Sequence, residues 1–295
     1  MISLSICPIC SGQSFKDYLV CKDYTTTGEQ FQLKQCNFCD FVLTDPKPDE
    51  QAIEKYYQSD KYISHTGGRK KSLFDSIYLI ARKIALGNKR RIIEKYSTGK
   101  TILDFGCGTG EFLKEMKDHY WLVSGVEPSQ LANNKASATT SGKIYRTISD
   151  INETSFDVIT LWHVLEHLHD LNGALNKFNS LLGESGTIFV AVPNFKSHDA
   201  TYYKSYWAAY DVPRHLWHFS KETMTQVLKN NGFKLVSILP MKMDSFYVSV
   251  LSEGYQNPTQ PKIIGLIKAA IRGTISNMKA KKKMNYSSLI YVAQK

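Results

Sequence analysis

Apolar positions along this chain follow two rhythms. Short, nearly unbroken apolar runs at 101–105, 121–126, 156–161 and 186–192 read as strands buried on both faces, because a strand covered by helices needs no polar side. The runs at 233–238 and 288–293 are two further strands. Between them the period lengthens. A helix runs from Glu111 to about Asp118, and Phe74, Ile77, Tyr78, Ala81, Ile84 and Ala85 share one face at a spacing of 3.6, with a second, basic helix from Lys89 to Tyr96. Asp49 caps a short helix that ends near Tyr57. Alternating strands and helices predict an α/β, doubly wound fold.

The first 48 residues break this pattern. Four of the six cysteines form two pairs, Cys7-Pro8-Ile9-Cys10 and Cys36-Asn37-Phe38-Cys39, separated by 25 residues. Two residues between cysteines let a tight knuckle aim both sulfurs at one ion, and two knuckles close a tetrahedron, the geometry of structural zinc. Residues 1–48 therefore read as a zinc ribbon, closed by Pro46 and Pro48. Residues 49–96 read as a helical cap or linker, in which the aromatic, glycine-ended stretch 56–68 suits either a lid or a plain connector. Residues 97–295 form the main domain, with a helical insertion at about 245–285.

Composition adds mainly exclusions. A chain of 295 residues, 42% hydrophobic and 22% charged, is neither collagen-like, coiled-coil nor wholly disordered. It has no apolar run of about 18 residues and no secretory signal pattern at residue 1, so the expected location is the cytoplasm. Net charge is +10. Residues 61–100 carry +9 and 254–295 carry +8, leaving −7 on the remainder. Such basic segments are either solvated faces or partners for phosphate groups, an anionic membrane or nucleic acid.

The chemistry begins where the first strand of the main domain runs into Asp104-Phe105-Gly106-Cys107-Gly108-Thr109-Gly110. A dinucleotide turn would need glycine where Glu111 stands, and Gly99-Lys100-Thr101 lacks the glycine a phosphate loop requires at position 94. An acidic residue at the strand end followed by alternate glycines suits a cationic amino-acid ligand without phosphate, such as S-adenosylmethionine. Glu127 ends the next strand 19 residues after Gly108, the position of a carboxylate that accepts both ribose hydroxyls. Asp150 and Ile151 are placed to hold adenine. Cys107 and Trp162 complete the expected cofactor set.

These motifs, with Phe156 to Leu168 and Val192-Pro193-Asn194, together resemble the class I S-adenosylmethionine-dependent methyltransferases over about 96–240 and the strand near 287–293. The cysteine module and Asp211-Val212-Pro213-Arg214-His215-Leu216-Trp217-His218-Phe219-Ser220 look like a small-molecule subgroup that includes sugar C-methyltransferases. His163-Val164-Leu165-Glu166-His167 resembles the quinone-biosynthesis O-methyltransferases. The resemblance implies a Rossmann-like seven-stranded sheet with its last strand antiparallel. It also implies S-adenosylmethionine as methyl donor and a small-molecule acceptor, sugar or quinone-like, methylated on oxygen or carbon.

The expected catalytic bases are His163, His215 and His218, on segments that follow strand ends. Each has a packing alternative. The spacing of His163, Glu166 and His167 would place three metal donors on one helix face, although methyl transfer does not require a metal. Trp162, Tyr210 and Trp217 either bracket a substrate or pack. An RNA-modifying or RNA-binding protein is the competing class, supported by the ribbon and the basic segments; no aromatic-basic RNA signature accompanies them, so a nucleic-acid partner is disfavoured. In 262–272, Ile263, Ile264, Ile267, Ala270 and Ile271 form one helical stripe. It either packs on the helices of 74–96 or, with the lysines up to 283, rests on an anionic membrane. Oligomeric state and acceptor atom are not readable.

Overall fold

A computed structural model describes residues 1–58, 73–152 and 155–295, with the backbone alone for 73–81. Most of the proposed lid stretch 56–68 lies outside the described residues. The N-terminal part is a sheet of β1 (Phe15–Lys22), β2 (Gln30–Cys36) and β3 (Val42–Thr44), paired antiparallel in that order.

The larger sheet has β4 (Thr101–Phe105) at the middle of its five parallel strands. On one side lie β5 (Leu122–Val126) and β6 (Lys143–Tyr145). On the other lie β7 (Phe156–Trp162) and β8 (Leu182–Pro193). These five strands are parallel. Ile102, Leu103, Val158, Ile159 and Ile188 are fully buried, as unbroken apolar runs require of strands covered on both faces. The smaller sheet gains a fourth strand, β9 (Trp217–His218), from the main domain; it pairs with β3 through Val42–His218 and Leu43–Trp217. The two parts are thus one hydrogen-bonded body. β10 (Lys234–Pro240) and β11 (Ser288–Gln294) finish the seven-stranded sheet, with β11 inserted antiparallel between β8 and β10. The sequence expectation of an α/β sheet with an antiparallel last strand holds.

The helices bring corrections. α1 (Leu73–Tyr96) is one helix of 24 residues, not two. A glycine inside a helix costs about 1 kcal/mol, too little at Gly87 to break it while Ile93 is buried and Arg90 bridges Glu94 and Glu115. Of its expected apolar face, Ile84 and Ala85 are exposed, and the four earlier side chains lie outside the described ones. α2 (Glu111–Lys117), α3 (Gln130–Thr140) and α4 (Leu171–Leu181) flank the sheet, and α5 (His198–Tyr203) and α6 (Lys221–Asn230) follow β8. No helix starts at His163: only a single 3-10 turn, Leu165–His167, forms there, so the three-donor helix face is absent.

Between β10 and β11 stand α7 (Asp244–Gln256) and α8 (Lys262–Ala280), packed on each other. The Ile263, Ile264, Ile267, Ala270, Ile271 stripe of α8 does not pack as a cap; it is exposed. The buried face is the small one, Ala269, Gly273, Ser276 and Ala280. A Cβ on Gly273 would stand 2.6 Å from the Phe246 ring, so close approach of α7 selects the small face and turns the isoleucines outward. Among the described residues, no helix is long and apolar enough to cross a membrane.

Candidate active site

β4 delivers the chain into a turn where Gly106, Gly108 and Gly110 all have positive φ. At Gly106 (φ 76°) a Cβ would lie 2.6 Å from Val164, whereas at Gly108 (φ 54°) it would meet nothing within 4 Å. The first glycine lets the turn pack under the β7 loop, and the second leaves open space beside the N-terminus of α2. Glu127, just past β5, ties this turn to its own loop: its Oε2 accepts the Gly108 N–H at 3.0 Å and its Oε1 the Ser129 N–H at 2.9 Å. Cys107 is buried beneath the turn.

Asp104 is buried, with Oδ1 accepting the Thr160 hydroxyl at 2.6 Å. Burial raises its carboxyl to about 7 against the pull of Thr160 and Lys89. Lys89 reaches in from α1, its ammonium 4.3 Å from the centre of the Trp162 ring. The Trp162 Nε1–H is buried and has no hydrogen-bond partner among the described residues. Asp150 is exposed and caps its own turn by accepting the Thr147 N–H, while Ile151 behind it is buried. Open space at Gly108, a bridging carboxylate at ribose spacing and an unpaired indole N–H fit a nucleoside with a cationic amino-acid tail.

A cavity of about 620 Å³ lies at the carboxyl ends of β7 and β8, where doubly wound folds bind ligands. Val248, Leu251 and Tyr255 of the α7 helix give it an apolar wall; His163, His215 and Asp244 give it a polar one. Tyr24, from the N-terminal part, also lines it and stacks on Tyr255 with ring centres 4.4 Å apart.

His163 follows β7 in the left-handed region (φ 58°), where strain is tolerated only if the surroundings over-determine it. Both ring nitrogens face carboxylates: Nε2 is 2.9 Å from Asp244 Oδ2 and Nδ1 is 3.4 Å from Glu166 Oε1. Burial would depress this imidazole, but Asp244 and Glu166 outweigh it and raise it to about 10. His215 is oriented by Nδ1–H donating to the Ala209 carbonyl at 2.9 Å, so Nε2 keeps its lone pair. His218 stands apart from the cavity, buried in β9 with Nε2 3.0 Å from the Thr44 hydroxyl, and burial pushes it well below its ordinary range. Tyr210 and Trp217 are core residues.

Buried charge joins the two parts. Arg214, 1% exposed, donates to Asp23 Oδ1 at 3.0 Å and to Asp211 Oδ1 at 2.6 Å. The site residues that the motifs did not mark are Asp244, Asp23, Tyr24 and Lys89. Nothing local signals Asp244, which meets His163 only because α7 begins over the end of β7.

The four paired cysteines converge beside the β1–β3 sheet, where Asn172 of α4 and Asn230 of α6 donate to the carbonyls of Pro8 and Ile9. Cys7 and Cys39 sulfurs are 3.6 Å apart, as are those of Cys10 and Cys36, and all four lie within 4.8 Å of one another. Zinc bonds of about 2.3 Å give a tetrahedral edge of about 3.8 Å, which this cluster fits.

Comparison with known proteins gives a family. A model described as a methyltransferase domain matches residues 78–238. A ubiquinone biosynthesis O-methyltransferase of Vibrio atlanticus is 32% identical over 111 residues, covering 34% of this chain and 47% of that protein. An uncharacterized methyltransferase of Geobacillus kaustophilus is 30% identical over 109 residues, covering 35% and 51%. The chain thus spans about half the length of these curated relatives. The solved magnesium protoporphyrin IX methyltransferase of Synechocystis, with bound S-adenosylhomocysteine, superposes with a TM-score of 0.53 at 13% identity, over 84% of this chain and 100% of that one. The cyclopropane synthase MmaA2 of Mycobacterium tuberculosis gives 0.51 at 15% identity, over 85% and 100%. At those identities the likeness is one of fold.

Proposed function

The chain belongs to the methyltransferase-domain family, and from that premise we propose that it transfers a methyl group from S-adenosylmethionine to a hydroxyl oxygen of a small, largely apolar acceptor. The observation that carries this reading is the cavity with its apolar wall from α7 and its polar wall of His163, Asp244 and His215. The donor is read at Gly106, Gly108 and Glu127, with Asp104 and Trp162 beneath; Asp150 and Ile151 border adenine. Zinc in the four cysteines is structural, since a four-thiolate set leaves no position for substrate.

Methyl transfer from a sulfonium expels a neutral thioether, so the donor supplies its own activation. The protein aligns the two reactants, a contribution of about 7–11 kcal/mol in well-ordered cases. A hydroxyl must also lose its proton. His215 is the group for that, because its Nε2 lone pair is free while both nitrogens of His163 are engaged by carboxylates. His163 is a fixed cation opposite the acceptor, and His218 serves the junction of the two sheets. The experiment uses two variants and two readouts. Glu127→Ala weakens S-adenosylhomocysteine binding by calorimetry. His215→Ala leaves that affinity within about twofold and lowers methylation of a hydroxylated aromatic panel, with labelled donor, by about 10²-fold or more. Equal donor affinity in wild type and Glu127→Ala, or an unimpaired His215→Ala, overturns the assignment.

The exposed isoleucines of α8 favour delivery of the acceptor from an anionic lipid surface. Met243 just before α7 and Val250 on it are exposed as well, α7 packs on α8 and walls the cavity, and no acidic residue lies between 254 and 295.

A further inference from the structure

Glu166 is the one buried charge that the methyl-transfer reading leaves without an explanation. Its side chain is fully buried, and neither carboxylate oxygen has a hydrogen-bond partner among the described residues. The other buried carboxylates are matched: Asp23 and Asp211 by Arg214, Asp244 by His163, Asp104 by the Thr160 hydroxyl. At Glu166, His163 approaches only Oε1, at 3.4 Å, and its other nitrogen belongs to Asp244. A buried carboxylate whose nearest cation is shared with Asp244, and whose second oxygen meets no ion-pair partner among the described residues, is incompletely matched, and a further cation would complete it.

Two imidazoles stand where that cation would need them. His167 Nδ1–H donates to the Arg214 carbonyl at 3.0 Å, with the Tyr57 hydroxyl 3.1 Å from the same nitrogen, and His215 Nδ1–H donates to the Ala209 carbonyl at 2.9 Å. Both rings therefore present an Nε2 lone pair. A backbone carbonyl holding the far ring nitrogen is the arrangement that orients a metal-bound histidine. A carboxylate oxygen of Glu166 and one ring nitrogen from each histidine lie within 4.8 Å of one another. Bonds of about 2.1 Å require edges of about 3.4 Å, so the side chains draw in by about 1 Å. His215 lines the cavity, which leaves the remaining positions of the ion on the acceptor side.

We infer that Glu166, His167 and His215 bind a divalent transition-metal ion at the inner wall of the cavity. The ligand set is two imidazoles and one carboxylate with open positions, chemistry that suits zinc, cobalt or iron(II) better than magnesium or calcium. It differs from the set that sequence spacing suggests: His163 turns to Asp244, and His215, 52 positions later, takes its place. Its use rests on the reading of the cavity as the acceptor site. There an acceptor hydroxyl on the ion would be more acidic, and His215, by holding the ion, would act on the same proton through it.

Metal content tests the site without substrate. Full-length protein equilibrated with zinc and freed of excess by gel filtration should carry two zinc ions per chain. Glu166→Gln, which keeps the volume and removes the charge, should carry one, with S-adenosylhomocysteine affinity unchanged. One zinc in the wild type, or two in Glu166→Gln, overturns the inference. If Glu166→Gln fails to fold, the wild type decides alone. Protein with zinc in its cysteines should take up Co2+ with visible d–d absorption and no sulfur-to-cobalt charge-transfer band; no cobalt absorption, or the sulfur band alone, overturns the inference. Because neither readout involves methylation, failure here leaves the donor site and the base role of His215 to be judged by the experiment above.

Discussion

On the donor side of the cleft, Glu127 grips the N–H of Gly108, 19 positions before it, and of Ser129, two positions after it. On the acceptor side, His163 meets Asp244 over 81 positions and Arg214 meets Asp23 over 191. The donor site is one strand–turn–helix unit whose backbone amides do the holding. The proposed acceptor site is built of side chains from segments far apart in the chain. One side therefore has the durability of a local motif, and the other depends on closure of the whole molecule.

Removing the zinc should separate the two most sharply. Cys36→Ser should unfold the β1–β3 sheet, because metal binding and folding are coupled in such modules. It should release β9 and abolish methyl transfer, while S-adenosylhomocysteine affinity stays within about threefold by calorimetry. A parallel collapse of donor affinity would show the two sides to be one unit. Arg214→Met is a milder cut. Asp23 keeps the N–H groups of Thr25, Thr26 and Thr27 but loses its only cation among the described residues, which should cost about 1.5–3 kcal/mol in denaturant unfolding, and adding Asp23→Asn should recover part of it. A loss under about 1 kcal/mol would mean that apolar packing, not this ion pair, joins the parts.

The donor side has its own signature in pH. The Asp104 carboxyl, raised by burial to about 7, stays protonated in the folded chain at pH values where the unfolded chain has lost the proton. Ionising it therefore subtracts stability as pH rises from about 4 through 7. A cationic donor favours the carboxylate, so affinity for S-adenosylmethionine should rise up to about tenfold between pH 6 and 8, and Asp104→Asn should flatten the curve. Affinity that falls over this range would refute the role. The smallest expected effect belongs to the acceptor side. Sedimentation with anionic vesicles should retain the protein at low salt and release it as salt rises, and Ile267→Glu should reduce retention severalfold. Absence of retention at low salt removes the lipid surface as the source of the acceptor.

Legibility followed the same division. Six of the seven strands of the large sheet, the glycine turn, Glu127 at its spacing and the two cysteine pairs were readable, because each is a short-range pattern, whereas the three-residue β6 was too short to stand out. His163 and His215 were readable as candidates through the motifs around them, but not in their roles. Nothing near residue 163 announces that Asp244 and Glu166 will claim both ring nitrogens. For the α8 stripe the sequence left a packed cap and a lipid-facing surface both open, because periodicity marks a face without saying which neighbour it meets; Gly273 against Phe246 turned the stripe outward.

The sequence by itself determined the α/β class, most of the strands and the glycine turn, since buried strands and tight turns are specified by neighbouring residues through backbone geometry. The tertiary structure alone decided that the cysteine module shares a strand with the main domain. It also decided that Tyr24 walls the cavity, and that Glu166 lies beside His167 and His215 with neither oxygen hydrogen-bonded. Those outcomes are contacts between distant segments, set by which surfaces exclude water and which charges find a partner once the chain has closed.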